Sequence, residues 1–120
     1  MSHSARSVWF FGLYLIPVGL GLLASPNTVL IPLGFPASTD VWPRVVGVLA
    51  LVLAYYYIQA ARGGSTAFFR WSVQARTGVC FVFVALALIR FAPPPLAMLG
   101  VVDLLGAAWT ALALRAEARA

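Results

Sequence analysis

The sequence predicts an all-α integral membrane protein, a bundle of four transmembrane helices that run up, down, up and down. Of its 120 residues, 62% are hydrophobic and only 9% are charged. One water-soluble domain of this length cannot enclose so much apolar surface. A helix needs about 20 predominantly apolar residues to cross a bilayer, and the suitable stretches are about 8–24, 42–61, 71–91 and 96–114. They use nearly the whole chain, so we predict a single transmembrane domain, residues 1–120.

The first predicted helix, at about 8–24, contains Pro17 and three glycines. Membrane helices tolerate these residues where neighbouring helices or water satisfy the freed carbonyl groups, so we expect a kink or a close helix contact here. Pro26 ends the helix, because proline disfavours helical geometry in the residue before it. This apolar stretch also resembles a signal peptide, whose removal would leave three spans. A bulky leucine at the cleavage site favours the full-length interpretation.

The connection that follows, residues 28–43, is the longest in the chain and begins with apolar residues. We expect it to lie in the headgroup region as a short interfacial helix or a re-entrant turn, with Trp42 as an interface anchor. The second helix then starts with Pro43 in its first turn. Backbone N–H groups in a first turn have no acceptor within the helix, so the N–H group that proline lacks is not needed there. Its last residues include three consecutive tyrosines, which are typical of an aromatic belt at a membrane interface.

The third predicted helix carries an arginine at each end of a short apolar stretch. Thirteen uncharged residues separate Arg76 from Arg90, so the two Cα atoms lie roughly 21 Å apart, less than the roughly 30 Å of the hydrocarbon core. At least one arginine must therefore snorkel or find a partner inside the protein. Three prolines at 93–95 form a stiff turn, which sets the third and fourth helices side by side as an antiparallel hairpin.

The basic residues, all arginines, fall mostly on one side of this topology. Six lie on one side, and only Arg44 and Arg90 lie on the other. The positive-inside rule then predicts cytoplasmic termini, and the many alanines and arginines favour a bacterial inner membrane. This placement explains the net charge of +5 without a nucleic-acid partner. We expect Arg62, Arg70 and Arg76 to contact the lipid headgroups of the inner leaflet. Arg76 is the deepest of the three, and we expect its side chain to snorkel toward the phosphates.

Asp103 is the one acidic residue well inside a predicted span. The proline turn puts it within about five residues, or roughly 7.5 Å, of the depth of Arg90, and Arg44 enters from the same side. A lone carboxylate at this depth protonates or finds a cation, so we predict that these three side chains lie together. Three interpretations stay open: an ion pair that locks the bundle, an outward-opening pocket for an anionic headgroup, a quinone or another small amphiphile, or proton-coupled transport.

Residues suited to catalysis are scarce. His3 precedes the first predicted helix, and Cys80 is the one cysteine. The chain therefore offers no nucleophile–base pair, metal-ligand cluster, intramembrane haem ligand or thiol pair. These observations favour a non-catalytic protein.

Pro26, the Leu33–Gly34 step, the Arg44-x-x-Gly47 motif and the segment 55–62 follow one another in the first half of the chain. With these features the chain resembles the DoxX-like group of small bacterial four-helix membrane proteins. The segment 69–71 and the triple proline have no counterpart in that group. The resemblance implies a four-helix bundle that acts as an accessory membrane subunit, with a link to quinone-dependent redox chemistry.

We therefore predict a small polytopic inner-membrane protein that acts as an accessory or small-amphiphile-binding subunit of a membrane complex. The alternative is a quinone-linked redox component or a transport component that uses a polar pocket around Asp103. The expected partners are the lipid bilayer and either further copies of the chain or a larger membrane complex. A quinone or a lipid is the expected bound molecule.

Overall fold

The computed structural model describes residues 1–119, and four of its helices are long and apolar enough to cross a membrane. The helices are α1 (His3–Ala24), α2 (Pro26–Leu30), α3 (Trp42–Gly63), α4 (Thr66–Leu88) and α5 (Pro95–Ala118). The predicted all-α fold with four helices of transmembrane length is confirmed. α2 begins at Pro26 and overlaps the start of the long connection 28–43, for which the sequence left a short helix and a re-entrant turn as alternatives.

Two helices begin about five residues earlier than the apolar stretches indicated. In the first turn of α1, the Ser2 hydroxyl accepts a hydrogen bond from a backbone N–H. Ser65 has the same role at the start of α4. Such N-caps stabilise helix starts, and they lie in polar segments that hydropathy assigns to loops. The earlier start of α4 puts Arg76 ten residues from Thr66, about 15 Å along the helix.

α4 also ends earlier than predicted, three residues before 91, in a Schellman motif. The N–H of Arg90 donates to the carbonyl of Ala87 (3.2 Å), and the N–H of Phe91 donates to that of Leu86 (3.0 Å). Arg90 has a φ of +64°, in the left-handed region that glycine usually occupies in this motif. The backbone therefore turns away before Arg90 can share a helix face with Arg76.

α1 is the central helix of the bundle. α3 packs along one side of it, and α5, which pairs with α4, packs along another. Neighbouring helices are antiparallel, since Arg44 at the start of α3 reaches the end of α1 and Glu117 near the end of α5 bonds Ser4 at the start of α1. We call the end of the bundle that carries Arg6, Arg62, Arg70 and Arg115 the basic end. The opposite end, with prolines 93–95, is the proline end.

Small residues let α1 and α3 pack closely. A Cβ atom added at Gly47 would lie 2.7 Å from the carbonyl oxygen of Gly19, and one added at Gly19 would lie 2.8 Å from that of Gly47. Gly12 makes a less close contact, since a Cβ atom added there would lie 3.0 Å from the Ile58 side chain and 3.3 Å from the carbonyl oxygen of Ala54. Close approach of this kind drives helix association in lipid, where burial of apolar side chains gives little gain. The close contact expected for the first helix is therefore present.

The α4–α5 pair packs in the same way. A Cβ atom added at Gly100 would lie 3.2 Å from the Cα atom of Cys80, and Ala107 and Ala113 are buried. Cys80 is thus a packing residue of this interface. One turn of α4 closer to the basic end, the same interface contains Arg76, which faces Gly106.

Candidate functional site

Arg76 lies inside the bundle and is only 3% exposed. Its Nε donates to the carbonyl oxygen of Ser72 at 3.2 Å, and its Nη2 donates to the hydroxyls of Ser72 (3.1 Å) and Thr110 (2.9 Å). The snorkelling expected for Arg76 is therefore wrong. The early start of α4 leaves its side chain deep in the bundle, and two hydroxyl groups supply the partners that headgroups would otherwise provide.

Two aromatic rings flank the Arg76 guanidinium. Its central carbon lies 4.8 Å from the ring centroid of Phe11 on α1 and 5.7 Å from that of Tyr57 on α3. Cation–π contacts of this kind stabilise a desolvated cation by about 2 kcal/mol. Since Thr110 belongs to α5, this one side chain contacts all four long helices.

One nitrogen of Arg76 has no hydrogen-bond partner among residues 1–119. Nη1 is buried and makes no hydrogen bond with any part of the chain that the structure describes. It faces Gly106, where an added Cβ atom would lie 3.0 Å from Nη1 and 3.3 Å from the Phe11 ring. Buried donors are nearly always paired, and an unpaired one costs about 1–3 kcal/mol, more when it is charged.

Asp103 lies one turn of α5 from Gly106, on the same helix face and toward the proline end. Its side chain is partly exposed, and its charge acts on Arg76 and on Tyr14. No salt bridge within 4.0 Å joins it to an arginine among residues 1–119. Tyr14, on α1, is 37% exposed, so this side of the site reaches the bundle surface. We call the following residues the central cluster: Phe11, Tyr14, Tyr57, Arg76 and Asp103.

A chain of hydroxyl groups links Arg76 with the basic end. The hydroxyl oxygens of Thr110 and Ser7 lie 2.6 Å apart, and the Ser7 hydroxyl donates to the carbonyl oxygen of Ser4 at 2.7 Å. Ser4 in turn donates to the Glu117 carboxylate, from its N–H at 3.0 Å and its hydroxyl at 2.6 Å. Sequence reasoning missed this chain because both serines precede the predicted first helix. Their spacing of three residues, which puts them on one helix face, was the available signal.

Arg44 lies at the proline end, where its Nη1 donates to the carbonyl oxygens of Leu23 and Ala24. These carbonyls belong to the last turn of α1, where no N–H group of a following turn is available to donate to them. A positive charge also stabilises the negative end of the helix dipole. One turn further along α3, Gly47 makes the close backbone contact with α1. The Arg44-x-x-Gly47 motif is thus explained by helix packing.

Arg90 is exposed in the turn after α4, where it borders a surface depression with Phe91 and the neighbouring prolines. The structure does not bring the predicted trio together, since no hydrogen bond or salt bridge joins any two of Arg44, Arg90 and Asp103 within the described residues. The expected proximity assumed a helix that continues through Arg90. The Schellman turn ends that helix first.

The remaining arginines predicted to contact lipid headgroups, Arg62 and Arg70, are exposed at the basic end. Arg70 and Arg115 border a shallow depression between α4 and α5. Exposure at this end agrees with contact to lipid phosphates, which stays a prediction for both residues.

No protein-family model matches this chain, and no curated protein or solved structure matches it either. The likeness to the DoxX-like group therefore stays a prediction from short motifs. Within residues 1–119 there is no group of three histidine, cysteine, aspartate or glutamate side chains suited to a metal ion.

Proposed function

We propose that this chain is a non-catalytic, small-amphiphile-binding subunit of a bacterial inner-membrane complex, and that the polar head of the amphiphile binds at the central cluster. The observation that carries the proposal is the unpaired Nη1 of the buried Arg76. Ionisable side chains within membrane spans are costly and usually functional. A purely structural arginine is expected to have all of its N–H groups paired.

The chemistry of the central cluster suits a polar head group. Arg76 supplies a free donor between two aromatic rings, and Asp103 and Tyr14 supply further polar groups on the side that reaches the bundle surface. Small-molecule sites combine apolar and aromatic walls with a few convergent polar groups in this manner. A molecule dissolved in the bilayer reaches such a site without passing through water.

We also propose an orientation for the chain in the membrane and the kinds of partner that cover its surface. The basic end faces the cytoplasm, in agreement with the positive-inside rule. Large apolar side chains cover the outside of the helices, among them Phe81, which is 71% exposed. Lipid, further copies of the chain or other subunits cover this surface, and the DoxX-like motifs favour the role of an accessory subunit.

Native mass spectrometry of the chain extracted with its membrane lipids tests the proposal. We expect the wild type to retain about one amphiphile per chain, and both Arg76→Gln and Asp103→Asn to lose it. The second variant keeps the size of the side chain, so it remains informative if the first one fails to fold. Arg119→Gln, which removes an exposed charge near the C-terminus, is the matched control and is expected to retain the amphiphile.

Arg90→Gln separates the central cluster from a pocket at the proline end. If the amphiphile binds at the central cluster, this variant retains it. Loss of the amphiphile in Arg90→Gln, with retention in Asp103→Asn, would move the site to the turn after α4. A wild-type chain that carries only bulk phospholipid in non-stoichiometric amounts would contradict the proposed function.

A quinone-linked redox or transport component is the second candidate. It is favoured by the presence of an acid, Asp103, and an arginine, Arg76, within the spans, because ionisable residues inside a membrane often mark proton or substrate pathways. The chemical identity of the retained molecule distinguishes the two functions. A quinone would favour the redox component, and a lipid would favour the accessory subunit.

A further inference from the structure

We infer that the amphiphile is uncharged and that it binds with a carbonyl or hydroxyl oxygen against Nη1 of Arg76, over Gly106. This inference rests on the proposed function and names the class of ligand for the same site. It follows from the free donor of Arg76, from the charge of its surroundings and from the missing side chain of Gly106.

The free group is a donor, so its partner must be an acceptor. Nε and Nη2 of Arg76 are already paired with Ser72 and Thr110, which lie toward the basic end. Nη1 faces the other way, toward Gly106 and the turn of α5 that carries Asp103. An arginine has no acceptor atoms, so a ligand head that carries only donors gains nothing at this position.

The charges of the site favour an uncharged acceptor. Arg76 and Asp103 carry opposite charges that sum to zero, and neither side chain forms a salt bridge within 4.0 Å with any side chain of residues 1–119. A phosphate or carboxylate placed at Nη1 would add a net negative charge beside the Asp103 carboxylate, deep in the hydrocarbon region. Uncompensated charge is very costly there. A carbonyl or hydroxyl oxygen accepts the hydrogen bond without that cost.

Gly106 and Phe11 define the place for this oxygen. Gly106 has no side chain to cover Nη1, and the edge of the Phe11 ring lies 3.3 Å from the position that a Cβ atom at Gly106 would occupy. Phe11 is partly exposed, so its ring can turn toward lipid and admit a ligand head. Rotation of one ring is a smaller change than separation of two packed helices.

Gly106→Ala tests this geometry without removal of any polar group. The new methyl group would lie 3.0 Å from Nη1, where it takes the place of the ligand oxygen. Its closest neighbour is the end of a flexible side chain, so the helices keep their packing. The matched control is Gly78→Ala, the same substitution in a transmembrane helix at a glycine with no neighbour within 4 Å.

Two photoreactive probes test the ligand class. One is a long-chain methyl ketone with a diazirine near the carbonyl group, and the other is the fatty acid of equal length with the diazirine at the same carbon. In nanodiscs, we expect the ketone to label α1 and α5 near Phe11 and Gly106 in the wild type and in Gly78→Ala. Labelling in Gly106→Ala should fall at least about fivefold, the effect of one lost hydrogen bond.

Equal ketone labelling of wild type and Gly106→Ala would overturn the inference, because the oxygen would then not lie over Gly106. Stronger labelling by the fatty acid than by the ketone at the same residues would overturn it as well, in favour of an anion site. Both results leave the proposed function intact if native mass spectrometry finds a retained amphiphile. Absence of any retained amphiphile from the wild type contradicts the proposed function itself.

Discussion

Arg76 and Arg90 lie on the same stretch of chain, yet the first is buried and the second is exposed. Their environments follow from the two ends of α4. The Ser65 cap starts the helix early and carries Arg76 deep into the bundle, and the Schellman motif stops the helix before Arg90. The apolar stretch alone predicts that Arg90, and not Arg76, has a buried partner. The hydrogen bonds at the two ends of the helix produce the opposite arrangement.

Replacement of Arg90 by glycine should stabilise the protein. Arg90 has a left-handed backbone, which costs an L-residue about 1 kcal/mol relative to glycine. We expect Arg90→Gly to raise the free energy of unfolding by about 0.5–1 kcal/mol, as measured by SDS titration followed by circular dichroism. Gly64, with φ of +65° at the end of α3, is the reciprocal control, since Gly64→Ala should destabilise by a similar amount. A loss of stability in Arg90→Gly would show that its side chain has an important partner.

Arg44 should contribute to stability through the end of α1. Arg44→Met removes the hydrogen bonds to the carbonyls of Leu23 and Ala24, so we expect a loss of about 1 kcal/mol in the same titration. Arg6, an exposed arginine in the first turn of α1, supplies the control Arg6→Met, for which we expect a change within about 0.5 kcal/mol. Equal effects of the two variants would rule out the capping role.

At the level of helices, the α1–α3 interface depends on close backbone approach. In Gly47→Ala, the new Cβ atom would lie 2.7 Å from the carbonyl oxygen of Gly19 and 2.8 Å from the backbone nitrogen of Leu23. Neither backbone atom can move without a shift of the helix. We expect a destabilisation of about 1–3 kcal/mol, against no loss for Gly78→Ala. Full stability of Gly47→Ala would mean that the two helices are less closely packed than described.

The helices themselves were predictable, whereas their ends and contacts were not. Hydropathy predicted the correct number of helices of transmembrane length, four, because a transmembrane helix needs a long apolar stretch whatever its neighbours are. It could not place the cap at Ser2, nor the serines that link α1 to Thr110, because polar residues at helix ends have no hydropathy signal. The shared face of Asp103, Gly106 and Thr110 was visible from helical spacing. The residue of α4 that contacts this face, Arg76, could not be predicted, because its position in the bundle depends on where α4 begins.

At the level of the whole molecule, the antiparallel order of the helices puts the α3–α4 turn and the proline turn at opposite ends. Single cysteines introduced by Ser65→Cys and Pro94→Cys, in a Cys80→Ala background, report their exposure to a membrane-impermeant maleimide. We expect position 94 to react in intact spheroplasts and position 65 to react only in inverted vesicles. The reverse pattern would contradict the proposed orientation, and reaction of both from one side would contradict the topology.

The central claim is that a bound amphiphile, and not the protein, completes the hydrogen bonds of Arg76. NMR of isotope-labelled arginine in nanodiscs tests it most directly, with the Arg76 signals assigned by their absence from Arg76→Lys. We predict that delipidated protein shows hydrogen bonds from the guanidinium to Ser72 and Thr110 alone, and that the long-chain ketone adds a hydrogen bond at Nη1. A direct Nη1 contact to Asp103 that the ketone leaves unchanged would contradict the account, because Arg76 would then be a structural ion pair.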